Sequence, residues 1–468
     1  MNLKLSVHSS KTSKSRFSSP SFLSSLLKMA FVVLALNIGS TVKAQTGTWD
    51  TLARFAPDNN QGVMLLLTDG RVLCHDASGG GQGKGWDILT PDATGSYYNG
   101  TWTQAANSIN DRLFFASQVL PNGKVFTAGG EYGAGATHGE VYDPVGNTWT
   151  ATGAVVSNMN VYDGNSEIMT NGAVLVGLQN GSNPSFDDQY YTPGTNAWTT
   201  APLAPLNHDE AAWLKLPDNS ILFVGIGGTS SCRYMQGTNT WVADATVPVS
   251  LYDPYGEEAG AAMMLPNGKA IFFGATGKNA IYTPSGSAAP GSWATAASFP
   301  VVGGNQLGTV DAPACMLPNG HILCAVSPIG YNSFNEFRNP VYFFEYNYVT
   351  NTFAQVTSLF TGLGADSIDG LNCDFTTMLL LPTGQVLFGI NQTGISQYYW
   401  IYTPGSGPIP QGKPVINNVY QTVCGNNYFI TGKVFNGISE GAAFGDDWQM
   451  STNYPLVRLV NGANVYYC

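Results

Sequence analysis

The sequence predicts an all-β chain: a seven-bladed β-propeller with four strands per blade, followed by a smaller β domain. Three observations carry this. A Pro/Asn/Asp/Gly turn between two apolar runs comes back seven times, and an aromatic corner followed by Trp comes back at nearly the same interval. The composition, with 55 Gly, 12% aromatic and 10% charged residues in 468, is too apolar for disorder and too Gly-rich for a helical protein.

The turn reads "LLTDGRVL" at Gly70, "LPNGKVF" at Gly123, "MTNGAVL" at Gly172, "LPDNSIL" at Asn219, "LPNGKAI" at Gly268, "LPNGHIL" at Gly320 and "LPTGQVL" at Gly384. Successive intervals are 53, 49, 47, 49, 52 and 64 residues. Each copy is a hairpin signal. The second signal is "VYDPVGNTWT" ending in Trp149 and its relatives at Trp102, Trp198, Trp241 and Trp293, with Phe353 in the sixth unit. Two hairpins per unit make four strands, a to d. Units near 50 residues long then mean a propeller. Strands packed between two neighbouring blades explain continuous apolar runs in place of alternation. The repeated Trp is expected between blades as a buried anchor.

The seventh unit reaches "QYYWIYTPGSGP" without a Trp of its own, and Trp49 in "TGTWDTLARF" supplies one. The N-terminal segment is therefore expected as the outer strand of blade seven, which leaves the ring no free end.

Apolar residues followed by Gly129-Gly130, then Tyr142 and Trp149, resemble the kelch repeat over about residues 45–405. The segment "GISEGAAFGDDWQMSTNYPLVRL" (437–459) is similar to the Ig-like "early-set" sandwich of galactose-oxidase-like kelch proteins. The resemblance implies a propeller over 45–408 and an incomplete Ig-like β-sandwich over 409–468. Copper-radical oxidases of that group use a Tyr-His pair in the propeller, a further His in the last domain and a Tyr cross-linked to a Cys. This chain has no Tyr-His dipeptide and no His beyond His321, so copper and its radical chemistry are not expected.

Residues 1–44 read as a signal peptide: Lys4, Lys11, Lys14, Arg16 and Lys28 with no acid, the apolar "MAFVVLALNIGS", then a small-residue cleavage site ending at Ala44. Removing them takes six of 19 cations, so 13 cations face 30 acids and the net charge becomes −17. A secreted or cell-surface protein of that charge is not expected to bind nucleic acid, nor a membrane once the signal is cleaved. It is read as a monomer.

The seven cysteines contain no CxxC pair, which argues against zinc. Cys315 and Cys324 flank one hairpin. Its turn chemistry registers Cys315 opposite Leu323, which argues against a bridge. Asn99, Asn180 and Asn391 stand in glycosylation sequons.

Strand direction selects the working face. The a–b and c–d turns are compact and share one face, while the b–c and d–a loops share the other. Long loops carry function more often than tight turns. Those here are 75–85, 131–139, 179–189 and 327–340, the last with Tyr331, Phe334 and Phe337, which suit stacking on sugar rings or packing over blade six.

Nine to eleven residues before the seven turn residues lie Asn60 and Gln61, Arg112, Asp163, then His208, Asp209 and Glu210, then Glu257 and Glu258, Asp311, and Asp374. Strand a is innermost, so these groups are expected to ring the channel mouth, with at most one of Glu257 and Glu258 pointing inward. Such groups suit three roles: capping backbone amides around channel water, holding Ca2+, or lining a glycan pocket with carboxylates as acid and base. The reading that follows is a secreted binding module for a carbohydrate or extracellular protein, without a catalytic set or a required cofactor. The alternative is a carbohydrate-active enzyme, or a galactose-oxidase-like oxidoreductase, working at the acidic mouth.

Overall fold

The computed structural model describes residues 47–58, 61–77, 83–155, 160–178, 188–256, 258–357, 367–391, 398–421, 427–435, 437–438 and 456–467. The signal segment, Asn60, Glu257, Asn180, Cys424, Cys468, most of 437–459 and the loop residues 78–82 and 179–187 lie outside them.

The fold is all-β, and its seven blades are six four-stranded antiparallel sheets and one, blade six, whose four strands are extended by a two-stranded addition. Blade one is Gln61–Leu66, Val72–Asp76, Gly85–Thr90 and Thr101–Gln104 in spatial order. Blade seven is Thr376–Leu380, Val386–Ile390, Trp400–Thr403 and, as its outer strand, Thr48–Thr51 from the N-terminal segment. The expected closure is therefore present, with Trp49 paired to Tyr402. The innermost strand of blade one touches those of blades seven and two, so the ring is complete.

Every a–b turn residue, Gly70, Gly123, Gly172, Asn219, Gly268, Gly320 and Gly384, has a positive φ between 64° and 83°. Seven of seven in this region explain the Gly/Asn preference, because a Cβ is strained there. The second turn has its own device. Tyr142, Tyr191, Tyr234 and Tyr346 each donate a hydroxyl hydrogen bond to the Asn five residues on. Those residues, Asn147, Asn196, Asn239 and Asn351, also have positive φ. Two residues after the Asn comes the Trp or Phe, which lies opposite the same Tyr in the ladder.

The inner strands are buried at nearly every position, as in Gln61–Leu66 and Val72–Asp76. The outer strands are not: Trp49 and Trp198 are buried, whereas Trp102, Trp149, Trp241 and Trp293 are half-buried. The expectation of a buried anchor is corrected here, because strand d stands at the rim and one ring edge meets water. The indoles nonetheless span the blades. Trp149 Nε1 donates to Ala106 O at 2.8 Å, Trp198 Nε1 to Thr152 Oγ1 at 3.0 Å and Trp293 Nε1 to Ser231 Oγ at 3.2 Å, each on the preceding side.

Cys315 lies opposite Leu323 and Cys324 opposite Ala314, and both thiols are free and buried. Of the described sequons, Asn99 is exposed and Asn391 is buried. Blade six carries an addition the repeat does not announce: the hairpin Val301–Val302 with Asn305–Gly308, which extends the edge of Ile322–Pro328.

Beyond the propeller lie two two-stranded sheets, Val415–Gln421 with Tyr428–Lys433 and Arg458–Asn461 with Asn464–Tyr467. The second sits on the compact-turn face. Val465 N donates to Ala93 O at 2.8 Å, and the Tyr467 ring lies where a side chain on Gly70 would stand. Ile409 N reaches Pro318 O at 2.9 Å on the same face. The loop face is opposite.

Candidate functional site: an acidic channel mouth

The site is built by one backbone kink used in several blades. At the ninth residue before the a–b turn residue, the chain bends into strand a with φ of 52° at Phe114, 42° at Asp163, 50° at Glu210 and 47° at Asp311. A positive φ at a residue other than Gly is uncommon and carries strain that the surrounding packing must offset. In three of these four blades the strained residue is an acid.

The kinks bring carboxylates together. Asp163, Asp209 and Glu210 each place an oxygen within 4.8 Å of the others, and so do Glu210, Glu258 and Asp311. Glu210 belongs to both groups, so blades three, four, five and six meet at one place. Blade five presents its acid through a turn built on Asp253. Asp253 Oδ1 accepts from Tyr255 N at 2.7 Å and Gly256 N at 3.0 Å, and Oδ2 accepts from Glu258 N at 3.0 Å. Asp311 N donates to Ala259 O at 3.0 Å, tying blade six to blade five beside the acids. Tyr252 is buried close to Asp209, Glu210 and Glu258, and its hydroxyl donates to Val224 O at 2.6 Å.

Burial and mutual repulsion hold the Asp163, Glu258 and Asp374 carboxyls protonated well above the usual range. Asp163 is raised first by burial, then by Glu131, Asp209 and Asp311. Glu258 is raised by burial and then by Asp311, with which it shares a hydrogen bond. Asp374, in the short turn Cys373–Phe375 of blade seven, is pushed up to about 8 by burial and by Asp311.

The other candidates sit elsewhere. Arg112 is buried within blade two, where it is ion-paired to Glu140 and donates to Gly129 O at 2.7 Å. It lies two positions before the kink, and Phe114 occupies the kink itself. His208 is buried with Nε2 at 3.0 Å from Asp188 Oδ1, edge-on to Trp213 and Phe223. Gln61 stands for blade one with a neutral amide, and its Oε1 accepts from Ile390 N of blade seven at 3.0 Å.

The loop aromatics divide. Phe337 packs against the core, Tyr331 is 57% exposed with Arg338 over its ring at 5.0 Å, and Phe334 is 93% exposed. The same loop carries Glu336, a residue the repeat did not single out. A Cβ on Gly256 would stand 3.0 Å from Glu258 Oε1 and 3.1 Å from Glu336 Oε2, so the aromatic loop meets the acid cluster there. Glu131 was likewise missed. It adjoins Asp163, and its only signal is its place directly after Gly129-Gly130.

No family model matches the sequence, and no curated protein matches it. Among solved structures, a fungal alcohol oxidase of the AA5 family in complex with copper is similar at a TM-score of 0.59 and 15% identity. The match covers 90% of this chain and 92% of that one. A streptogramin B lyase is similar at a TM-score of 0.49 and 12% identity, covering 78% of this chain and 100% of that one. The first likeness shows the fold, a β-propeller.

Copper belongs to that structure, and the described residues here do not offer its usual ligands together. Among the described residues, the groups able to hold a metal are made of carboxylates alone, whereas copper favours imidazole and thiolate. His75, His138, His208 and His321 are engaged by Gly83 O, Thr137, Asp188 and Glu345, in four separate places. Cys74 is hydrogen-bonded with Tyr399 through the tyrosine hydroxyl, deep between blades one and seven.

Proposed function

We propose that this protein is a secreted kelch-type propeller that binds a carbohydrate across its loop face, with the acidic channel mouth as the polar floor of the site. The observation that carries the reading is the approach at Gly256 of Glu258 from the acid cluster and Glu336 from the loop that also carries Tyr331 and Phe334, which sets the exposed rings on a segment bordering the acids. Sugars present both partners at once. Their C–H faces stack on exposed rings such as Phe334 and Tyr331, and their hydroxyls, which both donate and accept, pair with carboxyl groups in either protonation state. The net charge of the mature chain disfavours an anionic ligand, so a neutral glycan fits best.

Binding of the purified mature chain to immobilised neutral glycans tests this. Wild type is expected to bind, and Phe334→Ala with Tyr331→Ala is expected to weaken binding by about tenfold or more, the worth of one or two stacked rings. Glycan binding indifferent to both changes would remove the loop from the site. A blank array would remove the carbohydrate.

A second reading is favoured by one observation. Glu258 and Asp311 form a carboxyl–carboxyl hydrogen bond, an arrangement that keeps one group protonated and so provides an acid beside a base. That reading is hydrolysis of a glycosidic bond. It expects sugar release from a bound glycan, abolished in Glu258→Gln and Asp311→Asn. A bound glycan recovered intact would exclude it.

A further inference from the structure

We propose that Asp163, Asp209, Glu210, Glu258 and Asp311 bind one hard divalent cation at the channel mouth, Ca2+ in preference to Mg2+. The site goes beyond the glycan reading and stands without it.

Donor chemistry comes first. The two overlapping groups offer carboxylate oxygens only, the ligands of hard cations. Span comes second. Oxygens facing each other across Ca2+ stand roughly 4.6–5.2 Å apart, twice the usual Ca–O distance, against about 4.0–4.2 Å across Mg2+. Within each of the two groups the oxygens lie within 4.8 Å of one another, inside the span of a Ca2+ shell, and the groups share Glu210 and together draw on four blades. Ca2+ tolerates such irregular coordination, whereas Mg2+ demands an octahedron.

Two buried oxygens supply the independent sign of a ligand. Asp163 is 7% exposed and Glu258 is 8% exposed, yet Asp163 Oδ1 and Glu258 Oε2 have no hydrogen-bond partner. Buried polar atoms are nearly always satisfied, so these two are short of a donor or a cation. The site also depends on ring closure, because no single blade holds more than two of its ligands.

The test titrates chelator-treated full-length mature protein with CaCl2 and MgCl2 by calorimetry. Terbium luminescence, sensitised through the adjacent Tyr252, provides a second readout. One Ca2+ per chain is expected, bound about tenfold or more tighter than Mg2+, with Ca2+ displacing terbium. The double variant Asp163→Asn with Glu258→Gln is expected to lose about 100-fold in affinity. It is expected to fold, because amides of the same shape relieve the repulsion, and circular dichroism checks that. Asp69→Asn, on the opposite face, should bind as wild type does.

Absence of saturable binding up to about 10 mM Ca2+, beyond the weakest extracellular calcium modules, would overturn the site. So would binding unchanged in the folded double variant. Chelated protein that binds a glycan but no Ca2+ sinks the cation site alone, and Ca2+ binding with a blank array sinks the glycan reading alone.

Discussion

Trp49 and Tyr402 are Cα partners with ring centroids 4.8 Å apart, although 353 residues separate them along the chain. Trp49 also meets Phe343 of blade six at 4.9 Å. It repeats the Tyr–Trp pairing of blades two to five and makes the seam where the first and last parts of the propeller join.

Trp49→Ala should therefore cost about 3–5 kcal/mol, the range for emptying a buried aromatic site. Trp149→Ala, at a half-buried position, should cost visibly less. Denaturant unfolding compares the two, and equal losses would contradict the special standing of the seam.

Arg112 and Glu140 are both fully buried and paired. Removing one partner, as in Arg112→Met, leaves an uncompensated charge and should cost about 3–5 kcal/mol. The Ca2+ affinity of the folded fraction should be unchanged. A loss of cation binding without a loss of stability would place Arg112 at the mouth after all.

Asp87 lies away from the mouth, and its carboxyl is pushed up to about 7, first by burial and then by Asp58. The folded state thus holds this proton more tightly than the unfolded chain does. Its contribution to stability is fully present below the ordinary carboxylate range, near pH 4, and is lost as pH rises to about 7. Asp87→Asn should flatten that part of the melting-temperature profile by a few degrees. An unchanged profile between pH 4 and 7 would refute the assignment.

Asn351 combines a φ of 53° with bonds from Tyr346 Oη at 2.8 Å and Ala297 N at 2.9 Å. Asn351→Ala should cost roughly 1–3 kcal/mol from strain and two lost bonds. Asn351→Gly keeps the backbone and should recover part of it. If the two variants unfold together, the strain is not felt.

The sequence made the blades legible because each blade repeats the same local chemistry. A left-handed turn residue, a Tyr and a Trp recur where the ladder requires them, and Trp49 could be matched to the one gap. The gathering of acids from blades three to six was legible in position but not in detail. Acids near the start of strand a mark the ring, yet which of them faces the channel depends on a kink whose φ no repeat announces. The shift of two positions puts Arg112 inside blade two and gives Phe114 its place. His208 is drawn across the blade boundary to Asp188, a pairing with no local signature. Glu131 and Glu336 stand on loops of irregular length, where periodicity gives no guide. The exposed rims of the outer strands follow from radial geometry, which a pattern of apolar letters does not encode.

The hairpin that ends in Tyr467 rests on the tight turns of blade one, so the disc has a back and a front. An affinity tag or a surface linkage attached beyond that hairpin would hold the molecule by its back. Every copy would then stand with its acidic opening toward the solution, and an oriented layer of this kind would leave the opening accessible in each molecule.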